Sequence, residues 1–371
     1  MKNLYLLLSA SALSTIPLAA YSADNPVVAE PETAEYVRIC DIYGAGYFYI
    51  PGTETCLRVG GFIRYEVRAG EGPYGGHNDV ADKSGGTDDT YHVQGRFSLR
   101  TWTGSETELG TLSTFTQTNF SYRDGYHGDP NLVSLYYGWV QLGGLRIGKD
   151  ESVFETFANY AGSVIGDDIV PYSPVETNLI SYTYKNDNGL SAVVSLEQGG
   201  SSYGADYSLD SYVPHVVGGL KYAAKWGGVT VVAGYDANYE EGAVKARLDG
   251  KINEQLSLFV MAGYGTGDED SFNYYKPWKG DWAVWAGGSY RINTKLKFNL
   301  QASYSDSGVS KGSGAARGQA DNHFAVVTNV NYEPVPGFVI TPEIAYFSLD
   351  DGKPATDDDG FSGMVRFQRN F

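Results

Sequence analysis

The chain has 371 residues and a formal net charge of −17, from 44 acidic and 27 basic side chains. This excess of acid disfavours nucleic acid as a partner, because phosphates would be repelled. Beyond its first residues the sequence has no run of roughly eighteen apolar residues, so it predicts no membrane-spanning helix. Abundant tyrosine (30) and glycine (47), with little histidine (5) or methionine (3), favour one large β-barrel.

The first residues have the pattern of a secretory signal. Lys2 supplies the positive charge, residues 4–18 are mostly apolar, and residues 20–22 offer small side chains at both positions that a signal peptidase reads. We predict cleavage after Ser22, with Ala23 as the less favoured last residue removed. The mature chain therefore begins near residue 23 and is exported to an oxidising compartment.

The cysteine usage agrees with export. The two cysteines, Cys40 and Cys56, lie close together in the mature chain. A disulfide that closes this short loop is the favoured interpretation, and the loop-entropy model gives it about 3 kcal/mol of stabilisation. Two free thiols are the alternative, although an exported chain makes them less common.

Two strand-like segments follow the cysteines. Residues 57–68 alternate between apolar side chains such as Val59 and Ile63 and polar ones such as Arg64, and residues 91–100 repeat the pattern. A period of two with one apolar face predicts a β-strand. The polar face of these two segments carries multiple arginines and must face water, and those arginines are Arg58, Arg64, Arg68, Arg96 and Arg100.

Further alternating segments bring the predicted number of strands to about sixteen. Most have the length that a tilted strand needs to cross a bilayer, about 9–11 residues. They lie at 108–121, 131–142, 145–150, 178–186, 189–198, 215–226, 228–238, 241–252, 255–265, 281–292, 295–305, 322–333, 337–349 and 362–371.

The connections between these segments alternate in length. Tight links suited to hairpin turns are predicted at 143–144, 186–189, 227–228, 253–254 and 293–294. Long polar links are predicted at 70–89, 122–130, 151–177, 199–214, 266–280, 306–321 and 350–361, with a stub at Tyr239-Glu240. Short turns at one end and long loops at the other are typical of outer-membrane barrels. The predicted fold is an all-β, single closed antiparallel transmembrane barrel over residues 55–371, behind a periplasmic segment at 23–54 and a signal peptide at 1–22.

The chain ends on an aromatic residue. Phe371 closes an alternating strand, which is the usual signal read by the barrel assembly machinery, so we predict that role for it. Arg369 occupies a position that is commonly apolar in such signals.

Four blocks of the sequence resemble the general porins of alpha-proteobacteria of the Rhizobium and Brucella type. They read YVRICD at 36–41, YGAGYFYIPGTETCLRV at 43–59, GWVQLGGLRIGK at 138–149 and VRFQRNF at 365–371. The resemblance implies a sixteen-stranded barrel, a homotrimer and passive diffusion with no cofactor. Arg369 is normal for this family, and the long loops match it least.

A barrel of about sixteen strands holds water, so its function depends on what narrows the lumen. The best candidate is the longest loop, which we expect to fold inward and set its acids against the five arginines. The loop acids of this predicted pore constriction are Asp150, Glu151, Glu155, Asp167 and Asp168, with Glu176 beside them. A transverse field would result. The alternatives are an ordinary solvated lid for the acids, and salt bridges that brace the wall for the arginines.

The sequence thus predicts a passive porin of the bacterial outer membrane. It would carry small hydrophilic solutes and ions, with lipid and lipopolysaccharide as its surroundings. The alternative within transport is a channel specific for a sugar or an anion, which an aromatic strip along the lumen would support. Enzymatic activity is disfavoured because no histidine sits in a compact motif with a nucleophile, and no His/Cys cluster has metal-ligand spacing.

Overall fold

The computed structural model describes residues 38–72, 80–86, 90–123, 131–200, 208–267, 273–278, 280–306, 308–309, 319–320, 323–350 and 357–371. The predicted signal peptide at 1–22 and the first part of the periplasmic segment lie outside the described residues. Residues Ile39–Phe371 belong to one compact unit. No helix in the described ranges is long and apolar enough to span a bilayer.

Sixteen strands within the described ranges form the wall of the molecule. They are β1 Cys56–Gly70, β2 His92–Thr107, β3 Gly110–Arg123, β4 Asn131–Leu142, β5 Leu145–Glu151, β6 Glu176–Lys185, β7 Leu190–Glu197, β8 His215–Ala224, β9 Gly227–Asp236, β10 Glu241–Lys251, β11 Leu256–Gly265, β12 Trp282–Arg291, β13 Leu296–Ser305, β14 His323–Val335, β15 Phe338–Asp350 and β16 Asp357–Asn370. A two-residue strand, Phe48–Tyr49, pairs with the start of β1. A small separate ladder joins Gly308–Val309 to Gln319–Ala320.

The sixteen strands close into a barrel. Each pairs antiparallel with its neighbours along the chain, and β16 pairs with β1 to complete the ring. At this seam the backbone of Phe371 exchanges two hydrogen bonds with Gly61, of 3.0 and 3.1 Å between nitrogen and oxygen. The prediction of a closed antiparallel barrel of about sixteen strands is confirmed.

Alternation along each strand gives the barrel two different surfaces. In β9, Val229 and Val231 are about two-fifths exposed, whereas Thr230 and Val232 are buried. Successive side chains of a strand point to opposite faces, so one face meets the surroundings and the other meets the lumen. The exposed apolar side chains therefore form the outer wall, as a lipid-facing surface requires.

The connections sort by length as predicted, with two differences in detail. The turn between β8 and β9 is Lys225–Trp226 instead of the predicted Gly227-Gly228, because these glycines pair with Ala224 and Ala223 of β8. A further tight turn at 108–109 divides β2 from β3, where the sequence pattern predicted the start of a strand. We call the end of the barrel with these turns the turn end, and the other the loop end.

The predicted disulfide is present. Cys40 and Cys56 are bonded, with their Cα atoms 6.0 Å apart, and both side chains are buried. The bond ties the segment ahead of β1 to the first residue of that strand. Tyr43 of this segment also donates a hydrogen bond of 2.9 Å to the Glu106 carboxylate near the end of β2. The segment is therefore fixed to the turn end of β1 and β2.

Candidate functional site

The link between β5 and β6, residues 152–175, folds against the inner wall of the barrel, and we call it the lumen loop. It begins with a one-turn helix, α1 (Val153–Thr156), capped by the Ser152 hydroxyl, which accepts a 3.1 Å hydrogen bond from the Phe154 N–H. The buried carboxylate of Glu197, on β7, accepts bonds from the Ser152 hydroxyl (2.7 Å) and the Val153 N–H (2.9 Å). Capping by a fixed wall residue sets the direction in which the chain leaves β5.

Side chains on strands β12, β13 and β15 then form hydrogen bonds with the backbone of the lumen loop. Trp285 on β12 donates its indole N–H to the Val170 carbonyl at 2.8 Å. Gln301 on β13 donates to the Asp167 carbonyl at 2.8 Å. The Glu343 carboxylate on β15 accepts hydrogen bonds from the backbone N–H groups of Ile165 and Gly166. Because strands β7, β12, β13 and β15 all contribute inward-facing contacts, the loop lies inside the barrel.

Apolar side chains fill the space between the loop and this wall. Phe154, Ala161 and Val170 of the loop are fully or almost fully buried. The Lys245 ammonium on β10 lies beneath them, 4.4 Å from the centre of the Phe154 ring and 5.2 Å from that of Tyr172. A cation over an aromatic face is stabilised by the ring quadrupole, most strongly when it is desolvated as here.

A second loop also enters the barrel, which the sequence pattern did not predict. Residues 273–278, between β11 and β12, bring the buried ring of Tyr275 against Phe154 of the lumen loop and the buried ring of Trp278 against Trp285 of β12. Two glycines make room for them. A Cβ at Gly234 would come within 2.4 Å of the Tyr275 ring, and one at Gly263 within 2.9 Å of the Trp278 ring. The second loop therefore packs with the lumen loop and the wall inside the barrel.

Arginines lie on the opposite inner wall, formed by β1, β2 and β16. Arg64 and Arg96 are directly opposed register partners on adjacent strands. The Glu66 carboxylate contacts three guanidinium groups, those of Arg366 (2.5 Å), Arg68 (2.8 Å) and Arg64 (3.9 Å). We call the five arginines on this surface the arginine wall, namely Arg64, Arg68, Arg96, Arg100 and Arg366.

Three members of the arginine wall have neutral hydrogen-bond partners. Arg64 donates to Gln368 (2.8 Å), Arg96 to Ser121 (3.0 Å) and Arg100 to Gln117 (2.7 Å). Among the described residues neither Arg96 nor Arg100 forms an ion pair. The positive charges of Arg96 and Arg100 are therefore not neutralised by a carboxylate in the wall, and they face the lumen.

Arg58, also predicted at the constriction, lies nearer the turn end. Its guanidinium stacks 4.2 Å from the centre of the Trp102 ring. Trp102, Phe115 and Trp139 are register partners across β2, β3 and β4, with ring centroids 5.3 and 5.6 Å apart. They form a row of three aromatic rings on the inner wall, which the sequence analysis did not predict.

The predicted loop acids occupy several different environments. Asp150, at the end of β5, pairs with Arg146 at 2.6 Å instead of facing the arginine wall. Glu151 accepts hydrogen bonds from the hydroxyls of Tyr137 and Tyr160, and it interacts electrostatically with Arg100. Glu155 is buried on the side of α1 that faces Lys245, and Asp168 is exposed.

Asp167, near the tip of the lumen loop, is half-buried. Its carboxylate accepts a 3.0 Å bond from the Tyr172 hydroxyl. Burial, followed by the nearby charge of Asp168, raises the pKa of Asp167 to about 8. Burial and the charge of Glu151 likewise raise the pKa of Glu155 well above its usual range. At neutral pH the loop therefore carries less negative charge than its composition suggests.

Two cavities lie beside the lumen loop. One, of about 220 Å³, separates the loop tip from the arginine wall, and Arg64, Arg68, Arg96, Arg366, Gly166 and Glu343 are among its lining residues. The other, of about 390 Å³, lies toward the turn end beneath Ser163, and Arg247, Arg291 and Lys297 are among its lining residues.

Several residues of the site were not identified from the sequence. Arg366 has the signal that marked the other arginines, a basic residue on the polar face of an alternating strand, although the predicted set does not include it. Lys245 and Glu343 also sit on polar faces of predicted strands. Their roles depend on contacts with loop residues 73 to 178 positions away in the chain, which no local pattern encodes.

Comparison with known proteins gives concordant results. A family model described as a porin subfamily, Porin_2, matches residues 24–366. Porin Omp2b of Brucella suis biovar 1 is 44% identical over 381 residues, covering 99% of each chain. Among solved structures, the outer membrane channel DcaP of Acinetobacter baumannii has a TM-score of 0.61 at 15% identity, covering 87% of this chain and 99% of that one. An OmpF structure from Salmonella typhi has a TM-score of 0.57 at 12% identity, with the same coverage.

Proposed function

This chain belongs to the porin subfamily and forms a passive diffusion channel in the bacterial outer membrane, and from this premise we propose that the lumen loop and the arginine wall set its selectivity. In this proposal the narrowest part of the pore lies between the two. Solutes pass between fixed guanidinium groups on one side and carboxylates of Glu151, Asp168 and, at high pH, Asp167 on the other.

The observation that carries the proposal is the segregation of charge across the lumen. Five guanidinium groups line β1, β2 and β16, and the Glu66 carboxylate lies among them. Asp167 and Asp168 lie in the lumen loop between Gly166 and Ile169, two residues that line the 220 Å³ cavity opposite the arginines. Fixed charges of opposite sign in a narrow channel with low-dielectric walls create a transverse field.

Such a field acts on every solute that passes. It orients water and polar solutes, so they replace bulk hydration with ordered contacts along the wall. Apolar solutes of the same size gain no such contacts, and to enter they must displace the ordered water. The channel thereby favours small hydrophilic solutes without binding any one of them tightly.

Reversal potentials in planar bilayers under a salt gradient test this proposal. Arg64→Ala and Arg96→Ala should each raise the cation-to-anion permeability ratio, because positive charge is removed from the constriction. Asp168→Asn should lower the same ratio. Arg369→Ala is the matched control, since Arg369 donates to the Pro336 carbonyl (2.8 Å) near the turn between β14 and β15. Unchanged reversal potentials in Arg64→Ala and Arg96→Ala would overturn the assignment.

A channel specific for a sugar is the second candidate, and the aromatic row supports it. Apolar faces of sugar rings pack on aromatic side chains, and three rings in a row offer a continuous track. However, guanidinium groups cover the faces of two of them, Arg58 over Trp102 and Arg146 over Trp139 at 4.2 and 4.1 Å. General diffusion is therefore the better supported function. Saturable inhibition of the ion current by a neutral oligosaccharide would reverse this preference.

The proposed assembly is a homotrimer. Two features of β2 to β5 support a contact between copies there. Hydroxyl pairs Thr101–Thr116 and Thr103–Thr114 (both 2.6 Å) lie on the outer face, where hydroxyls suit a protein contact better than lipid. Pairing of β4 with β5 stops at Gly138–Lys149, which leaves an edge that a membrane protein must cover. Native mass spectrometry of the detergent-solubilised channel should give the mass of three chains.

A further inference from the structure

The strongest feature that ion selectivity alone does not explain is the crowding of like charges beside the 220 Å³ cavity. Arg64 and Arg96 are register partners on adjacent strands, so their side chains start about 5 Å apart on the same face. Like charges placed directly opposite each other destabilise a sheet. Neither Gln368 nor Ser121, their hydrogen-bond partners, offsets this repulsion.

The carboxylates near this cavity are already engaged. Glu66 contacts Arg68, Arg366 and Arg64, so it neutralises at most one of the four guanidinium groups that line the cavity. Glu343 is turned toward the loop, where it accepts the backbone N–H groups of Ile165 and Gly166 and the Asn329 amide at 2.8 Å. The cavity thus keeps an excess of positive charge.

The opposite side of the cavity is the tip of the lumen loop. Ile165, Gly166 and Ile169 line it there, and none of these three residues carries a carboxylate. A guanidinium group presents a planar fork of N–H donors that matches the oxygens of a carboxylate or phosphate. Several guanidinium groups around one cavity are therefore suited to binding a small oxyanion.

We propose that the recess between the arginine wall and the loop tip is a saturable binding site for small oxyanions such as inorganic phosphate. The site rests on the proposed function, because it lies along the diffusion path. It adds a bound state to that path: an oxyanion pauses between Arg64, Arg96 and Arg366 before it moves on. A bound dianion would also relieve the repulsion between Arg64 and Arg96.

The test is the chloride current through single channels at constant ionic strength and fixed pH while inorganic phosphate replaces chloride. A saturable inhibition is expected in the natural protein. Arg96→Gln should raise the half-saturating phosphate concentration about tenfold, since a hydrogen bond from a charged group is removed. Lys297→Gln is the matched control, because Lys297 lines the other cavity, and this variant should leave half-saturation within about twofold.

The outcomes separate this inference from the proposed function. A current that changes linearly with phosphate, or equal shifts in Arg96→Gln and Lys297→Gln, would overturn the binding site. Altered reversal potentials in Arg64→Ala and Arg96→Ala would still uphold the selectivity role. Saturable inhibition without altered reversal potentials would support the binding site and overturn the selectivity role. Folding of each variant is checked by its single-channel conductance, which a misfolded barrel would not give.

Discussion

The Glu343 carboxylate on β15 accepts a 2.9 Å hydrogen bond from the backbone N–H of Gly166, 177 residues earlier in the chain. A second hydrogen bond comes from the N–H of Ile165. Two N–H donors on one carboxylate fix the tip of the lumen loop at the height of the arginine wall. The width of the passage therefore depends on a residue in neither the loop nor the arginine wall.

Glu343→Gln should loosen the loop tip. Each hydrogen bond to a charged acceptor contributes about 1.5–3 kcal/mol, and the amide of glutamine carries no charge and one acceptor atom. We expect a higher mean single-channel conductance with larger open-channel noise. Glu333→Gln is the matched control, since Glu333 accepts the Gly337 N–H at 2.6 Å in a turn outside the lumen. Identical conductance and noise in both variants would contradict the anchoring role.

Selectivity should change with pH through Asp167. Its pKa of about 8 means that the carboxyl is protonated at pH 6 and ionised at pH 9.5. Ionisation adds negative charge to the lumen loop, so the cation-to-anion permeability ratio should rise between these values. Asp167→Asn should remove that part of the rise. The exposed turn variant Asp187→Asn should keep it. A pH response of the same size in Asp167→Asn would exclude Asp167 as its source.

The raised pKa of Asp167 also makes the free energy of unfolding depend on pH. An unfolded aspartic acid ionises near pH 3.9, whereas folded Asp167 keeps its proton until about pH 8. Between these values the folded state binds more protons, so the free energy of unfolding should decrease as the pH rises and level off above 8. Asp167→Asn should show a smaller decrease in urea unfolding over this window. An unchanged slope would argue that Asp167 ionises normally.

Reduction of the Cys40–Cys56 disulfide should destabilise the barrel without changing conduction. The bond spans 16 positions, for which the loop-entropy model gives about 3 kcal/mol. Adding a thiol reductant should lower the urea midpoint of the natural protein to that of the double variant Cys40→Ser with Cys56→Ser. The double variant should not respond to reductant. A reductant effect on its midpoint would show that another process is being measured.

Charge on the outer wall should be far more costly than charge in the lumen. Val260, near the middle of β11, is 46% exposed on the outer face. Val260→Lys should lower the free energy of unfolding in lipid vesicles by about 2–4 kcal/mol, the usual cost of a lysine near the bilayer midplane. Ser289→Lys, which points into the turn-end cavity, should cost much less. Equal costs would contradict the assignment of the two faces.

The strands and their turns could be predicted because both are encoded locally. A period of two along β9 or β11 reflects lipid on one side and the lumen on the other. The type of each residue therefore indicates which face of the strand it lies on. The turn between β8 and β9 was misplaced because Gly227-Gly228 fits both a turn and a strand start. Only pairing with Ala224 and Ala223 distinguishes them.

The interior of the pore was less predictable, because its contacts join distant parts of the chain. The inward orientation of Arg64 and Arg96 follows from alternation, but the stacking of Arg58 on Trp102 depends on register between strands. Insertion of Tyr275 beside Gly234 depends on a loop conformation. An inward glycine in a strand that otherwise carries larger side chains is the local trace of such an insertion, and Gly234 and Gly263 both show it.

The seam between β16 and β1 has a consequence for the order of events during biogenesis. The first strand to emerge from the ribosome obtains its second neighbour only when the last one arrives, since Gly61 bonds to Phe371. Every shorter nascent chain leaves two unsatisfied edges, at which another copy could add. We therefore expect an incomplete chain to be prone to pairing with other copies until its final residues close the ring.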